Sequence, residues 1–377
     1  MILTQCAVCA TELGTGGKKC GRCQTRYCGP ACQKQHWDAG GHDKLCKKIK
    51  KGGGAEQYHA DKRAKEAVVE AVEKCAADTK GETCYICTQA LHWKTKEGLV
   101  RMCACRGTAG FAHVSCLAEQ AKILVAEAEE NNLGGEAKTE RWRRWYSCSL
   151  CKQGYHGEVR CALGWACWMT YLGRPEADDS RINAMMQLGN GLQKAGRYED
   201  ALTVLEAGLA MKRRLGASED SMLSSQNNLA MAYARMGRIE EALRLRQEVY
   251  FRRLKLSGED DEGTLRAAFN YADSLGSLQR FEEAKPLMRK TVPVARRVHG
   301  ESHLLSLGMR CCYAKLHYED PGATVNDLRE AVTTLEETVR IAQRVLGGAH
   351  PLVASIERDL PDARAALRAR ETPSGSA

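Results

Sequence analysis

The chain has 377 residues, enough for two or three domains. Aromatic residues make up only 6% of it, and the second half is rich in alanine, leucine, glutamate and arginine, which favours helices packed on helices. The formal net charge is +9. The sequence has no apolar run of about 18 residues, so we expect no membrane-spanning helix. The first residues also lack the basic start and apolar core of a secretory signal.

Eight of the nine cysteine and histidine residues in the first 50 positions are grouped as four close pairs. Two or three residues separate the members of each pair, so both side chains can reach one ion, and two pairs complete a tetrahedral site. The candidate ligands are Cys6, Cys9, Cys20, Cys23, Cys28, Cys32, His42 and Cys46. So short a segment cannot bury a large core, so we expect two zinc ions to stabilise it.

The run 27–33, followed by Trp37 and His42, resembles a MYND finger. The interval between Trp37 and His42 is longer than is usual in that family, and Gly40 and Gly41 can absorb the extra length. The resemblance implies interleaved sites, one of Cys6, Cys9, Cys28 and Cys32, the other of Cys20, Cys23, His42 and Cys46. It also implies a module that binds short peptides of partner proteins.

After this finger, Gly52, Gly53 and Gly54 predict a flexible break. A helix is predicted from about residue 60 to 77, because apolar side chains recur there on one face. Cys75 lies on that face, so we interpret it as a buried packing residue instead of a metal ligand.

A second set of eight candidate ligands lies between residues 84 and 151. They are Cys84, Cys87, Cys103, Cys105, His113, Cys116, Cys148 and Cys151. This set predicts two further zinc ions, four in all, and reduced cysteines, which indicate a soluble protein of the cytoplasm or nucleus. If fourteen thiolates and four divalent ions are counted, the formal charge of +9 falls to about +3, so the charge does not favour nucleic acid as a partner.

The run 105–117, with a single residue between Cys103 and Cys105, resembles the RING-CH (RING-variant) finger of a class of ubiquitin ligases. A PHD finger, which has the same ligand order, is the second alternative. The resemblance implies a cross-brace, with Cys84, Cys87, His113 and Cys116 at one zinc and Cys103, Cys105, Cys148 and Cys151 at the other. It further implies that Ile86 contacts a ubiquitin-conjugating enzyme. The equal alternative is that Ile86 is a buried residue of the turn. The family commonly has a tryptophan shortly after this run. At the matching place, residues 118–120, this chain has the sequence Ala-Glu-Gln.

A helix is predicted at about 117–130, followed by a polar loop at 129–139. Trp142 and Trp145 alternate with arginines, a pattern that can stack on single-stranded nucleic acid, although packing against the zinc core is the commoner explanation. The apolar segment that follows contains Cys161 and Cys167, which we do not expect to be catalytic, since a RING mechanism needs no nucleophile on the ligase.

From about residue 179 the sequence repeats. Aligning Ala201, Ala242, Ala284 and Ala331 gives steps of 41, 42 and 47 residues. One such unit cannot bury its own apolar face, so the units are expected to stack into a solenoid. The period and the run 227–238 resemble tetratricopeptide repeats of the kinesin-light-chain type.

This resemblance implies a groove that binds peptides. The groove candidates are Asn227, Asn228, Asn270 and Arg235, with local capping by the asparagines as an equal alternative. His303 and His350 are interpreted as turn residues, and Cys311 and Cys312 as packing residues. The residues 352–370 are expected to form a capping helix.

The predicted fold class is two small zinc-stabilised α+β cross-brace fingers followed by an all-α tetratricopeptide-repeat solenoid. The predicted domains are a MYND-type finger (1–50), a helical linker (51–80), a RING-CH-type finger (81–157), a connector (158–178), a repeat domain (179–370) and a disordered tail (371–377).

Three functional hypotheses remain, in this order. The first is a RING-type ubiquitin-protein transferase that positions a charged conjugating enzyme, while the repeats and the MYND finger recruit protein partners. The second is a non-enzymatic scaffold for protein–protein interaction. The third is a nucleic-acid-associated regulator.

Overall fold

The structure is a computed structural model that describes residues 6–11, 13, 17–348 and 350–371. The chain forms two compact units. The first comprises Met1–Cys103 and Gly107–Met211, and the second comprises Ala104–Arg106 and Lys212–Ala377. Within the described ranges, no helix combines the length and the apolar character that a bilayer-crossing segment needs. The predicted tail lies outside the described residues from residue 372 onward.

The first finger consists of a small antiparallel sheet and two short helices. These elements are β1 (Lys18–Lys19), β2 (Arg26–Tyr27), α1 (Pro30–Asp38) and α2 (His42–Lys51). The turn between the helices needs both glycines of the long interval. Gly41 has φ 71°, a left-handed conformation that suits glycine. A Cβ atom on Gly40 would collide with the His36 ring, so a tight turn absorbs the extra length.

A long helix, α3 (Ala55–Cys75), follows the first finger. It begins at Ala55, earlier than the sequence predicts, because the glycine run before it forms an ordered turn instead of a flexible break. In that turn the Gly54 N–H donates to the Ile49 carbonyl at 3.0 Å, and the Ala55 N–H donates to the Cys23 carbonyl at 2.8 Å. These hydrogen bonds attach the start of α3 to a metal-ligand turn of the finger. Cys75 is buried at the other end of the helix, as predicted.

The second finger contains two helices, α4 (Val114–Glu130) and α5 (Gly135–Trp142), and a 3-10 turn at Arg143–Trp145. Single β-bridges, Val100–Ala112 and Ser147–Gly154, hold its loops. The predicted loop at 129–139 is wrong in its second half, because α5 begins at Gly135. The glycine pair that indicated a loop instead provides the N-terminal boundary of this helix.

The segment predicted as a connector forms the most buried helix of the first unit, α6 (Gly157–Tyr171). It packs against α3, α4 and the next helix, α7 (Asp179–Lys194), which precedes α8 (Tyr198–Arg214). Glycines allow α6 and α7 to approach closely. A Cβ atom on Gly164 would lie 2.9 Å from the Gln187 carbonyl oxygen, and one on Gly191 would lie 2.8 Å from the Arg160 carbonyl oxygen. Larger residues at these two positions would push the helices apart.

The second unit is a series of antiparallel helices. They are α9 (Glu219–Arg235), α10 (Ile239–Ser257), α11 (Glu262–Ser277), α12 (Phe281–His299), α13 (Leu304–Tyr318), α14 (Val325–Leu346) and α15 (Pro351–Glu371). Each helix packs on the next, and α9, α11, α13 and α15 also pack in sequence on one another. This is the two-layer arrangement of stacked helical repeats.

Local capping groups define where the repeats begin. Ser218, Asp261 and Thr324 accept hydrogen bonds from the first turns of α9, α11 and α14. His303 accepts from the Leu305 N–H, and His350 Nδ1 accepts from the Leu352 N–H at 3.1 Å. Both histidines therefore cap helices, which agrees with their interpretation as turn residues.

Candidate metal centres

The sixteen cysteine and histidine residues singled out from the sequence lie in four clusters of four. Within each cluster the ligand atoms all lie within 4.8 Å of one another. The first finger holds one cluster of Cys6, Cys9, Cys28 and Cys32 and another of Cys20, Cys23, His42 and Cys46. The second finger holds one of Cys84, Cys87, His113 and Cys116 and another of Cys103, Cys105, Cys148 and Cys151. These are the interleaved sets that the two family resemblances imply.

Four of the cysteine pairs are built on one type of backbone turn. In the pair that begins at Cys84, the Cys84 N–H donates to the Gln89 carbonyl at 3.0 Å and the Thr88 N–H donates to the Cys84 carbonyl at 2.8 Å. Thr88 has φ 62°, the left-handed conformation that closes the turn. The same bonds occur after Cys6, Cys20 and Cys148, where Ala10, Gln24 and Lys152 are left-handed. The turn directs both sulfur atoms of a pair towards the same point.

Each of the two ligand histidines presents one ring nitrogen to the sulfur atoms. His113 Nδ1 lies 3.4 Å from Cys87 Sγ and 3.6 Å from Cys116 Sγ, while its Nε2 lies 3.3 Å from the Ala90 carbonyl oxygen. The carbonyl fixes the orientation of the ring and leaves Nδ1 free of its proton for a metal. His42 presents Nε2, 3.4 Å from Cys23 Sγ. Burial lowers the pKa of both histidines, which favours the neutral form that binds metals.

The thiols of the first cluster cannot all ionise together without a cation. Burial alone would raise the pKa of Cys6, but backbone N–H groups such as that of Cys9 outweigh it and lower the pKa to about 6. The neighbouring thiols of Cys28 and Cys9 instead raise the pKa of Cys32 to about 12. A divalent cation at the centre removes this conflict between like charges. Each finger offers one set of four cysteines and one set of three cysteines with a histidine. Both kinds of set suit the tetrahedral coordination that zinc prefers, so the clusters fit four zinc ions.

The two clusters of the first finger differ in their exposure to solvent. All four residues of the Cys20 cluster are buried. In the Cys6 cluster, by contrast, Cys9 and Cys28 are exposed. Access of solvent to the ligand atoms therefore distinguishes two centres that lie within the same small finger.

Ile86 is exposed, so it is not the buried turn residue of the alternative interpretation. Its side chain is 37% accessible. Leu150, which the sequence analysis did not single out, is 49% accessible. Each residue precedes the second cysteine of its zinc turn. Because the Tyr85 hydroxyl lies 3.0 Å from Ser149 Oγ, the two turns are adjacent.

The basic and aromatic run before Cys148 is packed into the first unit. Trp145 is fully buried, and its ring meets that of Tyr171 edge to face with centroids 5.9 Å apart. Arg144 is also buried and donates to the Cys148 carbonyl at 3.3 Å. These contacts favour the packing interpretation of this run over nucleic-acid stacking.

The groove candidates of the repeats lie on two neighbouring helices. Asn270 on α11 donates through Nδ2 to Asn227 Oδ1 on α9 at 2.8 Å, and both residues are partly buried. Asn228 is partly buried and Arg235 is exposed at the end of α9. Cys311 and Cys312 are buried in the repeat cores, as expected of packing residues.

Models of three protein families match segments of the chain. They are the MYND finger over residues 6–46, the RING-variant domain over residues 84–151, and the tetratricopeptide repeat over residues 180–250 and 221–297. These matches confirm the resemblances to a MYND finger, a RING-variant finger and tetratricopeptide repeats and, with the metal clusters and the helical repeats, the predicted fold class. The chain is thus a zinc-binding protein whose MYND finger and repeats are modules of protein–protein interaction. No curated protein matches the chain.

Solved structures with similarity to the chain include a putative kinesin light chain with nearly identical TPR-like repeats from Podosopora anserina. It is 19% identical, with a TM-score of 0.38, and the match covers 62% of this chain and 97% of that one. BtubC from P. vanneervenii is 14% identical, with a TM-score of 0.39, and the match covers 70% of this chain and 94% of that one.

Proposed function

We propose that the RING-variant finger binds a ubiquitin-conjugating enzyme and that the chain is a ubiquitin ligase, whose repeats and MYND finger recruit protein partners. The observation that carries this proposal is the pair of exposed aliphatic side chains, Ile86 and Leu150, on adjacent zinc turns. Exposed apolar side chains held together on a rigid support are typical of protein contact sites.

The helix after the third pair of ligands also offers an apolar group. Residues 118–120, Ala-Glu-Gln, stand at the place where the RING-CH family commonly has a tryptophan, and Gln120 is the last of them. Ile123 lies three residues further on the same side of α4 and is 49% accessible. We therefore include Ile123 in the proposed contact surface for the conjugating enzyme.

The proposed ligase works by positioning. It holds the charged conjugating enzyme and restricts the thioester-linked ubiquitin to reactive orientations, which lowers the entropic part of the barrier. The remaining buried cysteines support a mechanism without a covalent intermediate on this chain. Burial raises the pKa of Cys161 to about 12 and also raises that of Cys167, so neither provides a thiolate nucleophile.

The proposed location is the cytoplasm or the nucleus. The cysteines of the described residues are free of disulfides, and fourteen of them belong to the metal clusters. Zinc binding by these residues requires reduced thiolates, which a reducing compartment maintains.

The test is the discharge of ubiquitin from a panel of charged conjugating enzymes in the presence of the zinc-loaded full chain. We expect at least one enzyme to discharge faster, and Ile86→Ala and Leu150→Ala each to reduce that acceleration by about tenfold or more, because each removes an interface contact. Val69→Ala is the matched control, since Val69 is an exposed aliphatic residue on α3, outside the finger.

If no conjugating enzyme responds although zinc is bound in full, the ligase proposal is wrong. The second finger would then have a structural role, and the chain would be a non-enzymatic scaffold. Acceleration that survives both substitutions in the zinc turns would contradict the proposed contact surface.

A further inference from the structure

A fifth turn in the second finger has the backbone of a zinc turn but carries no cysteine. The His92 N–H donates to the Glu97 carbonyl at 3.0 Å, and the Lys96 N–H donates to the His92 carbonyl at 2.9 Å. Lys96 has φ 60°, the same left-handed conformation that closes the four cysteine turns. Thr95 stands at the position of the second cysteine and bonds to His92, its N–H donating to Nδ1 at 3.1 Å. Hydrogen bonds therefore close this turn without a metal ion.

The His92 turn is attached firmly to the rest of the finger. His92 is buried, and its ring meets that of His113 edge to face with centroids 5.3 Å apart. At the other end, the Glu97 carboxylate accepts from the Ser115 N–H at 2.7 Å and from the Ser115 hydroxyl at 2.9 Å. These contacts join the turn to the first residues of α4. The backbone of the turn thus has a defined position before any partner binds.

Two large apolar side chains project from this fixed turn into solvent. Leu91 is 59% accessible, and Trp93, at 69%, has the highest accessibility among the exposed large hydrophobic residues. The Trp93 ring lies beside that of the buried His92, with ring centroids 6.1 Å apart. Lys94 and Lys96 are exposed beside them, and neither forms an ion pair with any residue in the described part of the chain.

We propose that Leu91 and Trp93, with Lys94 and Lys96, form a docking surface for an acidic protein segment that carries an apolar side chain. Tryptophan is enriched among the residues that dominate binding energy at protein interfaces. Because the turn is already ordered, docking costs little conformational entropy. The two unpaired lysines select a partner of negative charge, through complementarity and faster encounter.

The features of this turn favour a protein over a nucleic acid as the partner. Single-stranded nucleic acid is bound by successive aromatic platforms along a basic groove. Here a single indole has a leucine as its apolar neighbour, and a leucine side chain offers no face on which a base can stack. The inference goes beyond the proposed function, since this surface needs no conjugating enzyme.

The test begins with selection of peptides from a display library of random linear sequences against the zinc-loaded full chain. We expect binders that are rich in aspartate and glutamate and contain leucine, isoleucine or phenylalanine. A synthetic peptide of this class should bind about tenfold or more weakly to Trp93→Ser and to Leu91→Ser, as is usual for central interface residues. The double change Lys94→Glu with Lys96→Glu should weaken binding in a salt-dependent way.

The controls match these changes in chemistry. Phe251→Ser removes an exposed aromatic residue of α10, and Lys80→Glu with Lys138→Glu reverses two exposed charges elsewhere. We expect both to leave peptide binding unchanged, and Ile86→Ala to leave it unchanged as well, which separates this surface from the proposed ligase site. Zinc content and thermal unfolding show that each variant is folded.

Three results would overturn the inference. In the first, no selected peptide depends on Trp93 or Leu91. In the second, the dependent peptides are neutral or basic. In the third, the Trp93→Ser change abolishes binding of single-stranded oligonucleotides or self-association of the chain while acidic peptides still bind.

Discussion

Gln279 occupies a backbone position that glycine fills in the two preceding repeats. The turns between the paired helices place Gly196, Gly237 and Gln279 in the left-handed region, with φ values of 75°, 77° and 57°. A residue with a Cβ atom is strained in this region by about 1–2 kcal/mol relative to glycine. The solenoid tolerates this strain because α11 and α12, the two helices that the turn connects, pack on each other.

Replacing Gln279 with glycine is therefore predicted to stabilise the second unit. Relief of the strain exceeds the entropy that glycine adds to the unfolded chain, for a net gain of about 0.5–1 kcal/mol in the free energy of unfolding. Urea unfolding followed by circular dichroism measures the change. The reverse substitution at the equivalent turn, Gly237→Ala, should destabilise the unit by about 1 kcal/mol. A destabilising Gln279→Gly would show that the glutamine side chain makes a contact worth more than the strain.

Sequence alone predicts the zinc turns because their chemistry fixes their spacing. Two sulfur atoms reach one ion only if a short turn separates them, so a pair such as Cys84 and Cys87 is visible in the sequence. The turn at His92 uses the same backbone but closes with a histidine and a threonine, so no ligand spacing reveals it. The exposure of Leu150 is not visible in the sequence either, because it depends on which way the zinc turn faces.

Elements whose structure depends on distant partners were harder to predict. The apolar connector is predicted to pack between the second finger and the repeats, but its helix, α6, is not predicted, because it depends on α3, α4 and α7, which surround it in space. No pattern in the neighbouring sequence indicates that Gly164 and Gly191 allow α6 and α7 to approach closely. Likewise, the glycine run before α3 indicates flexibility by composition, but the carbonyls of Ile49 and Cys23 hold it in an ordered turn.

The Cys6 cluster is predicted to lose its zinc ion before the other three centres, since it alone among the clusters has exposed ligands. Cys9 and Cys28 of the Cys6 cluster are exposed, whereas the Cys20 cluster of the same finger is buried. A chelator must approach a ligand atom before it can compete for the ion, so the exposed cluster should release zinc first.

Thiol alkylation read by mass spectrometry measures this order during limited chelation. After loss of about one zinc per chain, we expect Cys6, Cys9, Cys28 and Cys32 to be alkylated, while Cys20, Cys23 and Cys46 remain protected. Alkylation of Cys20, Cys23 or Cys46 before the Cys6 cluster would contradict the account. The buried Cys161 and Cys167, which belong to no cluster, are internal controls and should stay unmodified while the protein remains folded.

The whole chain joins two zinc fingers to a stack of helical repeats. The two parts obtain their stability from different sources. The repeats bury a large apolar core between successive helices, whereas the first finger has only a small core, centred on its own ligands. Removal of zinc should therefore unfold the first finger and leave the repeats of the second unit folded. Protein–protein interaction follows from the modules, and ligase activity is the proposal that Ile86 and Leu150 support.

The central claim is that sixteen side chains hold four zinc ions, and native mass spectrometry of the full chain tests it most directly. The account predicts a single folded species with four zinc ions, and a species with three for Cys46→Ser, which removes one ligand of a buried cluster of three cysteines and a histidine. A wild-type chain that is folded and saturated at fewer than four ions would contradict it, because at least one cluster of matched geometry would then bind no metal.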